Sequence, residues 1–315
     1  MRALVTGVAG FVGSHLAERL LDGGAEVLGI DCFTDYYARQ LKEANLGPLR
    51  ARNRFSFAET TIQAAPLERL LDGVTHVFHL AAQAGVRKSW GRDFQIYTTN
   101  NVEATQVLLE ACVGKTLARL VYASSSSVYG DAVAIPMRED AVPQPLSPYG
   151  VTKLAAEHLC HLYSANHGVP ATSVRYFTVY GPRQRPDMAF NRFLRAALQG
   201  NSISVFGDGG QTRDFTFVAD AVAATMAAGD RGVPGRAYNI GGGSRVSLNE
   251  VLDIVGRVTG KVLQINRGPA QKGDMRDTYA DTSLAKADLG FRPTVSLVDG
   301  LAEEYRWLAS SPVLA

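Results

Sequence analysis

Residues 1–13 read Met1-Arg2-Ala3-Leu4-Val5-Thr6-Gly7-Val8-Ala9-Gly10-Phe11-Val12-Gly13, and this stretch decides the fold of the chain. A short, mainly apolar run leads directly into three glycines that stand at every third position. Glycines let the backbone turn tightly after a strand and pass close to a pyrophosphate, and the free N–H groups of the following helix bind phosphate. The stretch therefore predicts a strand, a turn and a helix that together hold a dinucleotide.

Short apolar strands alternate with helical segments in the first half of the chain. The spacing of apolar residues predicts helices at 14–21 and 102–111, and the predicted strands are 3–6, 26–30, 76–80 and 120–123. Strands that alternate with helices imply right-handed crossovers and a parallel sheet that is covered on both faces. We therefore expect an α/β fold with a Rossmann-like, doubly wound parallel sheet.

Asp31 ends the second predicted strand, 18 residues after Gly13. A carboxylate in this place can accept hydrogen bonds from the ribose hydroxyls of the adenosine and repels a 2′-phosphate. Asp31 therefore favours NAD over NADP, with an ordinary loop aspartate as the alternative. Asn101 is expected to hold backbone near the active site, and its alternative role is a helix N-cap.

The segment Tyr149-Gly150-Val151-Thr152-Lys153 indicates what the dinucleotide is used for. A tyrosine and a lysine four residues apart lie on one face of a helix, one turn from each other. Because an ammonium group favours a neighbouring phenolate, we expect the pKa of Tyr149 to fall towards neutral. The pair predicts an alcohol–ketone redox site in which Tyr149 is the base and the dinucleotide carries hydride.

The alternation of strands and helices loosens after Arg175, where prolines and glycines become frequent. Further strands are predicted at 202–206 and 237–240, and further helices at 248–259 and 301–308. We expect residues 1–175 to form the NAD-binding domain. Residues 176–315 are expected to form mainly a smaller C-terminal α/β domain for the substrate, with some segments returning to the sheet.

The composition is typical of a soluble globular enzyme. The chain has 315 residues, of which 46% are hydrophobic and 20% are charged, and its net charge is +2. These values exclude disorder and do not favour a nucleic-acid or membrane surface. Three cysteines without a CxxC pair suggest free thiols in a reducing cytoplasm, and the histidines lack metal-ligand spacing, so that no metal is expected.

The sequence resembles the extended short-chain dehydrogenase/reductases that act on nucleotide sugars. The resemblance covers essentially the whole chain and is carried by the glycine turn, by Ser124-Ser125-Ser126-Ser127-Val128-Tyr129-Gly130, by Tyr149 with Lys153, and by Arg213-Asp214-Phe215. It implies a Rossmann-like domain, a C-terminal nucleotide-sugar domain and a homodimer packed through helices. It also implies that NAD stays bound and is regenerated in each cycle.

Two positions after Ser125 distinguish the branches of that family. The resemblance makes Ser125 the residue that hydrogen-bonds the reacting sugar hydroxyl. The 4,6-dehydratases have Asp-Glu at the next two positions, and UDP-glucuronate decarboxylases have Glu at the second of them. This chain has Ser126 and Ser127 there, so both chemistries lose an acid/base group that an epimerase does not need.

A second discriminating segment is Phe177-Thr178-Val179-Tyr180-Gly181-Pro182, followed by Arg185-Pro186-Asp187-Met188. It resembles the UDP-glucuronate 4-epimerases, whereas UDP-glucose 4-epimerases and decarboxylases commonly have Asn in place of Thr178. The resemblance makes Arg185 a candidate partner for the sugar carboxylate, since a guanidinium binds a carboxylate through two parallel hydrogen bonds. A solvated surface charge is the alternative for Arg185.

The motifs and the resemblance together define three sets of predicted site residues. The catalytic residues are Tyr149, Lys153 and Ser125. NAD is expected to contact Gly7, Gly10, Phe11, Val12, Gly13, Asp31, Leu80, Ala81, Ala82, Asn101, Tyr149, Lys153 and Tyr176. The substrate is expected to contact Gly85, Val86, Arg87, Ser126, Ser127, Thr178, Arg185, Asn191, Arg192, Phe206, Arg213 and Arg276. One departure from the family is Thr61, where an aspartate often faces adenine.

We therefore expect NAD-dependent 4-epimerisation of a UDP-sugar, UDP-glucuronate to UDP-galacturonate, through a transient 4-keto intermediate. The 4-keto uronate is a β-keto acid that loses CO₂ readily, so Ser126, Ser127, Thr178 and Arg185 are expected to hold its carboxylate out of alignment. A UDP-glucose/UDP-galactose 4-epimerase is the first alternative, and a UDP-glucuronate decarboxylase is the second. A non-catalytic NAD-sensing protein is the alternative outside enzymes.

Overall fold

The computed structural model describes residues 1–131, 134–269 and 275–311. The strands within these ranges are β1 (Arg2–Thr6), β2 (Glu26–Asp31), β3 (Phe55–Glu59), β4 (His76–His79), β5 (Arg119–Ser125), β6 (Ala171–Tyr176), β7 (Val179–Tyr180), β8 (Ile203–Phe206), β9 (Thr212–Asp214), β10 (Thr216–Phe217), β11 (Ala237–Ile240), β12 (Arg245–Ser247) and β13 (Ile265–Gly268).

The helices of the same ranges are α1 (Phe11–Asp22), α2 (Arg39–Arg50), α3 (Leu67–Leu70), α4 (Phe94–Tyr97), α5 (Ala104–Cys112), α6 (Pro148–His167), α7 (Ala189–Gln199), α8 (Val218–Arg231), α9 (Leu248–Thr259), α10 (Ser283–Leu289) and α11 (Leu297–Ser310). A π-helical turn (Thr98–Glu103) precedes α5. None of the helices in the described part of the chain combines the length and the apolar character needed to cross a membrane.

Seven strands form one parallel sheet in the order β3-β2-β1-β4-β5-β6-β11. The order reverses at β1, as in doubly wound dinucleotide-binding folds, in which ligands bind at the carboxyl ends of the strands beside the reversal. The predicted Rossmann-like α/β fold is confirmed. The predicted strands are all present, and the one at 120–123 is longer than predicted because it extends to Ser125.

Side chains of β1 alternate between two cores. Ala3 and Val5 lie in a core that includes residues of α1 and α8, while Leu4 lies in a second core with residues of α5 and α6. Successive side chains of a strand point to opposite faces of the sheet, so a strand covered on both faces is apolar throughout. This double coverage explains why Ala3, Leu4 and Val5 of β1 form a continuous apolar run.

The glycine turn after β1 requires glycine at two positions for different reasons. Gly7 has a φ of +71°, which L side chains rarely adopt, and a Cβ on it would lie 2.8 Å from the amide nitrogen of Ala81. A Cβ on Gly13 would overlap the carbonyl oxygen of Gly7. The glycines therefore allow α1 to start directly beneath the turn and close to β4.

The second half of the chain contributes to the sheet and also builds a smaller layer beside it. β11 pairs with β6 at the edge of the sheet, and α8 packs against α1. β8 pairs with β13, β9 pairs with β12, and α7, α9 and α11 pack together. One continuous hydrophobic core joins Ala3 of the sheet to Val251 of α9.

Candidate active site

A cleft runs along the carboxyl ends of β1, β2, β3, β4 and β5. Its lining contains nearly all the residues that the sequence assigned to the cofactor: Gly7, Gly10, Phe11, Val12, Gly13, Asp31, Leu80, Ala81, Ala82, Tyr149, Lys153 and Tyr176. Asn101 is the exception and lies behind the lining. The switch point of the sheet thus brings together residues that are distant in the sequence.

The start of α1 faces this cleft and suits an anion. Gly10 is the N-cap and provides no side-chain cap, and the first turn of α1 contains no acidic residue. The first N–H groups of a helix have no partners within the helix and carry a partial positive charge. Because the glycines also leave space for close approach, Gly10, Phe11, Val12 and Gly13 fit the pyrophosphate of a dinucleotide.

Asp31 lies in the cleft at the end of β2 and is already bonded to backbone. Its Oδ2 accepts a hydrogen bond from the amide of Ala9 at 3.1 Å, and its Oδ1 accepts one from the amide of Phe33 at 2.9 Å. Burial raises the pKa of Asp31, and these backbone hydrogen bonds oppose the rise. Asp31 therefore positions the glycine turn, and its contact with ribose stays a prediction.

Tyr149 lies in the first turn of α6. The hydroxyl of Ser147 caps this helix by accepting a hydrogen bond from the amide of Gly150 at 3.1 Å, and Pro148 occupies the first helical position. A Cβ on Gly150 would lie 2.5 Å from the carbonyl oxygen of Ser127, so the helix starts close to the turn that follows β5. This approach lets the side chain of Ser125 hydrogen-bond to Tyr149.

The expected fall in the pKa of Tyr149 is wrong for this structure. Burial raises its pKa, and the hydrogen bond with Ser125 and the charge of Arg185 only oppose the rise. Burial also lowers the pKa of Lys153 to about 7. The Nζ of Lys153 lies over the ring of Tyr122, 4.5 Å from its centroid, and Lys153 is not among the groups that act on the pKa of Tyr149.

Asn101 lies in the π-helical turn and connects the end of β4 to α6. Its Oδ1 accepts a hydrogen bond from the amide of Gln83 at 2.7 Å, and its Nδ2 donates to the Oγ1 of Thr152 at 3.0 Å. Thr152 in turn donates to the carbonyl oxygen of Tyr149. Asn101 therefore holds backbone near Tyr149, and it is not a helix N-cap.

Arg185 reaches the same cleft as Tyr149 but already has a carboxylate partner. Its Nε lies 3.0 Å from Oδ1 of Asp187, and its Nη2 lies 3.0 Å from Oδ2 of the same residue. The side chain is only 22% exposed, so the alternative of a solvated surface charge is wrong. The two parallel hydrogen bonds have the geometry expected for a sugar carboxylate.

Two pairs of predicted substrate residues lie together. The guanidinium of Arg87 stacks on the ring of Phe206, with its Cζ 4.8 Å from the centroid. Arg213 donates a hydrogen bond to the carbonyl oxygen of Arg276 at 3.1 Å, and Arg276 pairs with Asp208. An aromatic ring beside cationic groups suits a nucleotide, whose base stacks and whose phosphates need positive charge.

Five other residues of the predicted substrate set lie on three loops. Gly85 has a φ of +102° and contacts the hydroxyl of Tyr36, and Val86 follows it. Ser126 and Ser127 form the 3₁₀ turn after β5, in which Ser126 is buried. Thr178 is half-buried, and its carbonyl oxygen accepts a hydrogen bond from the amide of Thr216. Contacts of all five with substrate stay predictions.

Asn191 and Arg192 differ from the rest of the predicted substrate set. Asn191 is buried, and its amide and Nδ2 both donate to Gln184, while its Oδ1 has no partner among the described residues. It lines a second cavity between α2, α7 and α11. Arg192 is exposed on α7. In this structure Asn191 therefore positions the segment before α7.

Comparison with known proteins places the chain in a family. The profile described as the NAD dependent epimerase/dehydratase family matches residues 3–241. The chain belongs to this family. Its description confirms NAD as the predicted cofactor and agrees with a cleft that fits a dinucleotide.

Individual members of the NAD dependent epimerase/dehydratase family are similar over nearly the whole chain. The "Uncharacterized UDP-glucose epimerase YtcB" of Bacillus subtilis is 45% identical over 312 residues, which are 98% of each chain. The UDP-glucuronate 4-epimerase of Thermodesulfobacterium geofontis is 38% identical, over 96% of this chain and 95% of its own. The crystal structure of UDP-glucuronic acid 4-epimerase from Bacillus cereus with UDP-glucuronic acid and NAD has a TM-score of 0.95 and 45% identity, over 98% of each chain.

The sequence motifs did not predict a group of residues that line the cleft on the loops after β2 and β3. They are Cys32, Thr34, Tyr36 and Tyr37 after β2, Lys42 of α2, and Thr60, Ile62 and Gln63 after β3. One signal in the sequence was available, because residues that follow parallel strands gather at the same edge of the sheet. Thr61, which was noted only as a departure, lines the cleft as well.

Proposed function

We propose that the protein is an NAD-dependent UDP-sugar 4-epimerase that interconverts UDP-glucuronate and UDP-galacturonate. The observation that carries the proposal is the site around Tyr149, whose phenol is hydrogen-bonded to Ser125. The two residues that follow Ser125, at positions 126 and 127, both have hydroxyl side chains. This arrangement can take the proton from an alcohol that NAD would oxidise, and positions 126 and 127 provide no carboxylate for eliminating water. Relatives named UDP-glucuronate 4-epimerase support the same reading.

The side chains divide the work of the proposed reaction. Ser125 orients the 4-hydroxyl of the sugar, and Tyr149 removes its proton, with the hydrogen bond from Ser125 and the charge of Arg185 favouring the phenolate against the effect of burial on the pKa of Tyr149. NAD, when bound, accepts the hydride of C4 and returns it to the opposite face of the sugar. Tyr149 then donates its proton back to the oxygen at C4. Because oxidation and reduction cancel, the enzyme is an isomerase and consumes no soluble cofactor.

The carboxylate of the 4-keto intermediate needs to be held, because a β-keto acid loses CO₂ when the breaking bond aligns with the carbonyl π system. Ser126 and Ser127 directly follow Ser125, Thr178 lies two residues after Tyr176 of the cleft lining, and all three provide hydroxyl donors. We propose that these three groups hold the carboxylate in the plane of the ketone. Their neutral hydrogen bonds allow the sugar to turn between the two hydride transfers.

A UDP-glucose 4-epimerase is the second candidate. The observation that favours it is the pairing of Arg185 with Asp187, which leaves no uncompensated positive charge on this pair for a sugar carboxylate. The name of the Bacillus subtilis relative also favours it. The two candidates share Tyr149, Lys153 and Ser125 and differ only in what surrounds C6 of the sugar.

The test is incubation of the purified protein with UDP-glucuronate and no added NAD, followed by separation of the nucleotide sugars. UDP-galacturonate without any UDP-pentose is the expected product, and Tyr149→Phe is the inactive control. UDP-xylose or a 4-keto pentose would mean that the hydroxyls at 126 and 127 do not prevent decarboxylation. Conversion of UDP-glucose to UDP-galactose alone would favour the second candidate.

We also propose a homodimer packed through helices, a cytoplasmic location, and the division into domains at residues 175 and 176. Leu162 of α6 is 51% exposed, and Val113 after α5 and Val151 of α6 are exposed too. An apolar helix face of this kind suits a self-complementary interface. Sedimentation of the wild type and of Leu162→Glu tests the dimer, since only the variant should sediment as a monomer.

Three free cysteines suit a reducing compartment, which supports the proposed cytoplasmic location.

A further inference from the structure

The pair of Arg185 and Asp187 lies beside the cleft that contains Tyr149, and Arg185 is part of the lining of that cleft. The two residues are linked by two hydrogen bonds of 3.0 Å, and the hydroxyl of Tyr36 donates a third to Oδ2 of Asp187 at 3.2 Å. Arg185 lines the cleft together with Tyr149, and its charge acts on the phenol. A carboxylate of the chain is thus bound to the guanidinium in the way a ligand would be.

Asp187 is ionised when it makes these bonds. Burial raises its pKa, but the charge of Arg185 and the hydrogen bonds from Arg185 and Tyr36 outweigh burial and hold the pKa below its usual range. The pair therefore has no net charge at neutral pH. A sugar carboxylate gains both hydrogen bonds of Arg185 only by displacing Asp187, which costs the bonds already made.

Tyr36 contacts both residues of the pair. Besides its bond to Asp187, its ring contacts two cations, with Nζ of Lys88 5.0 Å and Cζ of Arg185 5.7 Å from the ring centroid. Its hydroxyl packs against Gly85, where a Cβ would overlap it. Tyr36 thus connects the segment after β4 to Asp187, although the three segments are far apart in the sequence.

We propose that Asp187, which is hydrogen-bonded by Tyr36, is a specificity-determining residue that prevents Arg185 from binding the carboxylate of the sugar. The inference rests on the proposed function, in which the 4-keto sugar has to turn over inside the cleft between two hydride transfers. A carboxylate held by two charge-assisted hydrogen bonds would anchor the sugar in one orientation. By satisfying Arg185, Asp187 lowers affinity for the uronate and leaves the intermediate free to turn.

The experiment compares the wild type with Asp187→Asn and Tyr36→Phe on UDP-glucuronate and on UDP-glucose. We expect Asp187→Asn to bind UDP-glucuronate about tenfold more tightly, since one freed bidentate pair is worth this much or more. Turnover of UDP-glucuronate should fall, and the reduced nicotinamide of the stalled intermediate should accumulate and be visible by its absorbance. Tyr36→Phe should move the affinity in the same direction by a smaller factor, while affinity for UDP-glucose should change little in either variant.

The matched control is Asp140→Asn, because Asp140 pairs with Arg138 at the same spacing in the chain and also through two atoms, but in an exposed place. It should change neither affinity nor turnover. Equal effects of Asp187→Asn on both sugars, or weaker binding of UDP-glucuronate, would overturn the inference and make Asp187 a residue that only positions Arg185. Affinity is measured by calorimetry, and turnover is measured separately by the rate of nucleotide-sugar conversion. If the wild type does not convert UDP-glucuronate, the proposed function fails, and the affinities still decide the role of Asp187.

Discussion

Glu157 of α6 and Arg175 of β6 form a buried ion pair, in which Nη2 of Arg175 lies 2.6 Å from Oε1 of Glu157. The other carboxylate oxygen of Glu157 accepts a hydrogen bond from Ser124 at 2.6 Å. Glu157 also lies one helical turn after Lys153. The ion pair therefore connects α6, which carries Tyr149 and Lys153, to β6, and the bond from Ser124 connects the same helix to the end of β5, which carries Ser125.

Replacing Glu157 by Ala should destabilise the protein strongly. The substitution leaves the guanidinium of Arg175 buried without its charge partner, which typically costs about 3–5 kcal/mol. The free energy of unfolding in urea is the measurement. Asp22→Ala is the control, because it removes the partner of Arg52 from a pair that is half-exposed on both sides. A similar decrease in the free energy of unfolding for the two variants would contradict the stabilising role assigned to the buried pair.

Gly13→Ala should weaken NAD binding, whereas replacing a glycine elsewhere in a helix by alanine should not. The new Cβ would overlap the carbonyl oxygen of Gly7, so the start of α1 has to move away from the phosphate site. We expect the affinity for NAD to fall by about tenfold or more, which corresponds to ~1.4 kcal/mol. Gly256→Ala in α9 is the control, since its Cβ meets nothing closer than 3.5 Å. Unchanged NAD affinity in Gly13→Ala would refute the proposal that the glycine turn and the start of α1 bind the pyrophosphate of NAD.

Glu304 should make stability depend on pH. Its Oε2 accepts a hydrogen bond from the amide of Gly181 at 2.9 Å, and its Oε1 has no partner among the described residues. Burial raises the pKa of Glu304 well above its usual value, against the opposing effect of the Gly181 bond. The folded state therefore holds a proton that the unfolded state releases, so this contribution is complete below the unfolded pKa and is lost as pH rises towards the folded pKa.

Glu304→Gln removes that dependence. Relative to the wild type, the variant should gain stability between mildly acidic and mildly alkaline pH, as measured by urea unfolding at both ends of this range. The neighbouring exposed Glu303→Gln is the control and should follow the wild type. A stability difference between Glu304→Gln and the wild type that does not change with pH would mean that Glu304 is not protonated in the folded protein.

Ser125→Ala should shift the pH dependence of turnover. Burial raises the pKa of Tyr149, and the hydrogen bond from Ser125 opposes this rise. Because Tyr149 has to be a phenolate to act as a base, loss of that bond should move the acidic limb of the turnover profile to higher pH. Ser127→Ala is the control, since its backbone amide, not its side chain, bonds to Ser125. A shared shift in both variants would remove the assigned role of Ser125.

Tyr149→Phe should fold and bind NAD but lose turnover by about 10²–10⁴-fold, the usual contribution of a positioned acid/base group. The phenyl ring keeps the packing against Tyr97, whose centroid lies 6.2 Å away. The rate of UDP-sugar conversion and the amount of NAD retained on purification are the measurements. Turnover near the wild-type rate would mean that another group removes the proton.

Much of the fold and the placement of Tyr149 and Lys153 on one helix could be predicted, because each depends on neighbours in the chain. The apolar run at 3–6 and the glycines after it specify a strand and a turn locally, and α6 places Tyr149 and Lys153 one turn apart. The electrostatics could not be predicted in the same way. The pKa of Tyr149 depends on its burial and on Ser125 and Arg185, which come from other elements.

By itself, the sequence determined the doubly wound sheet, the dinucleotide turn and the spacing that makes Tyr149 and Lys153 the proposed catalytic residues, since backbone conformation and side-chain periodicity follow from residue types at short spacing. Only the tertiary structure decided which side chains meet across the cleft. Arg185 and Asp187 are two residues apart, yet their hydrogen bonds inside the cleft also involve Tyr36, which lies 151 residues before Asp187. Such contacts arise from the packing of separate loops, which no local pattern encodes.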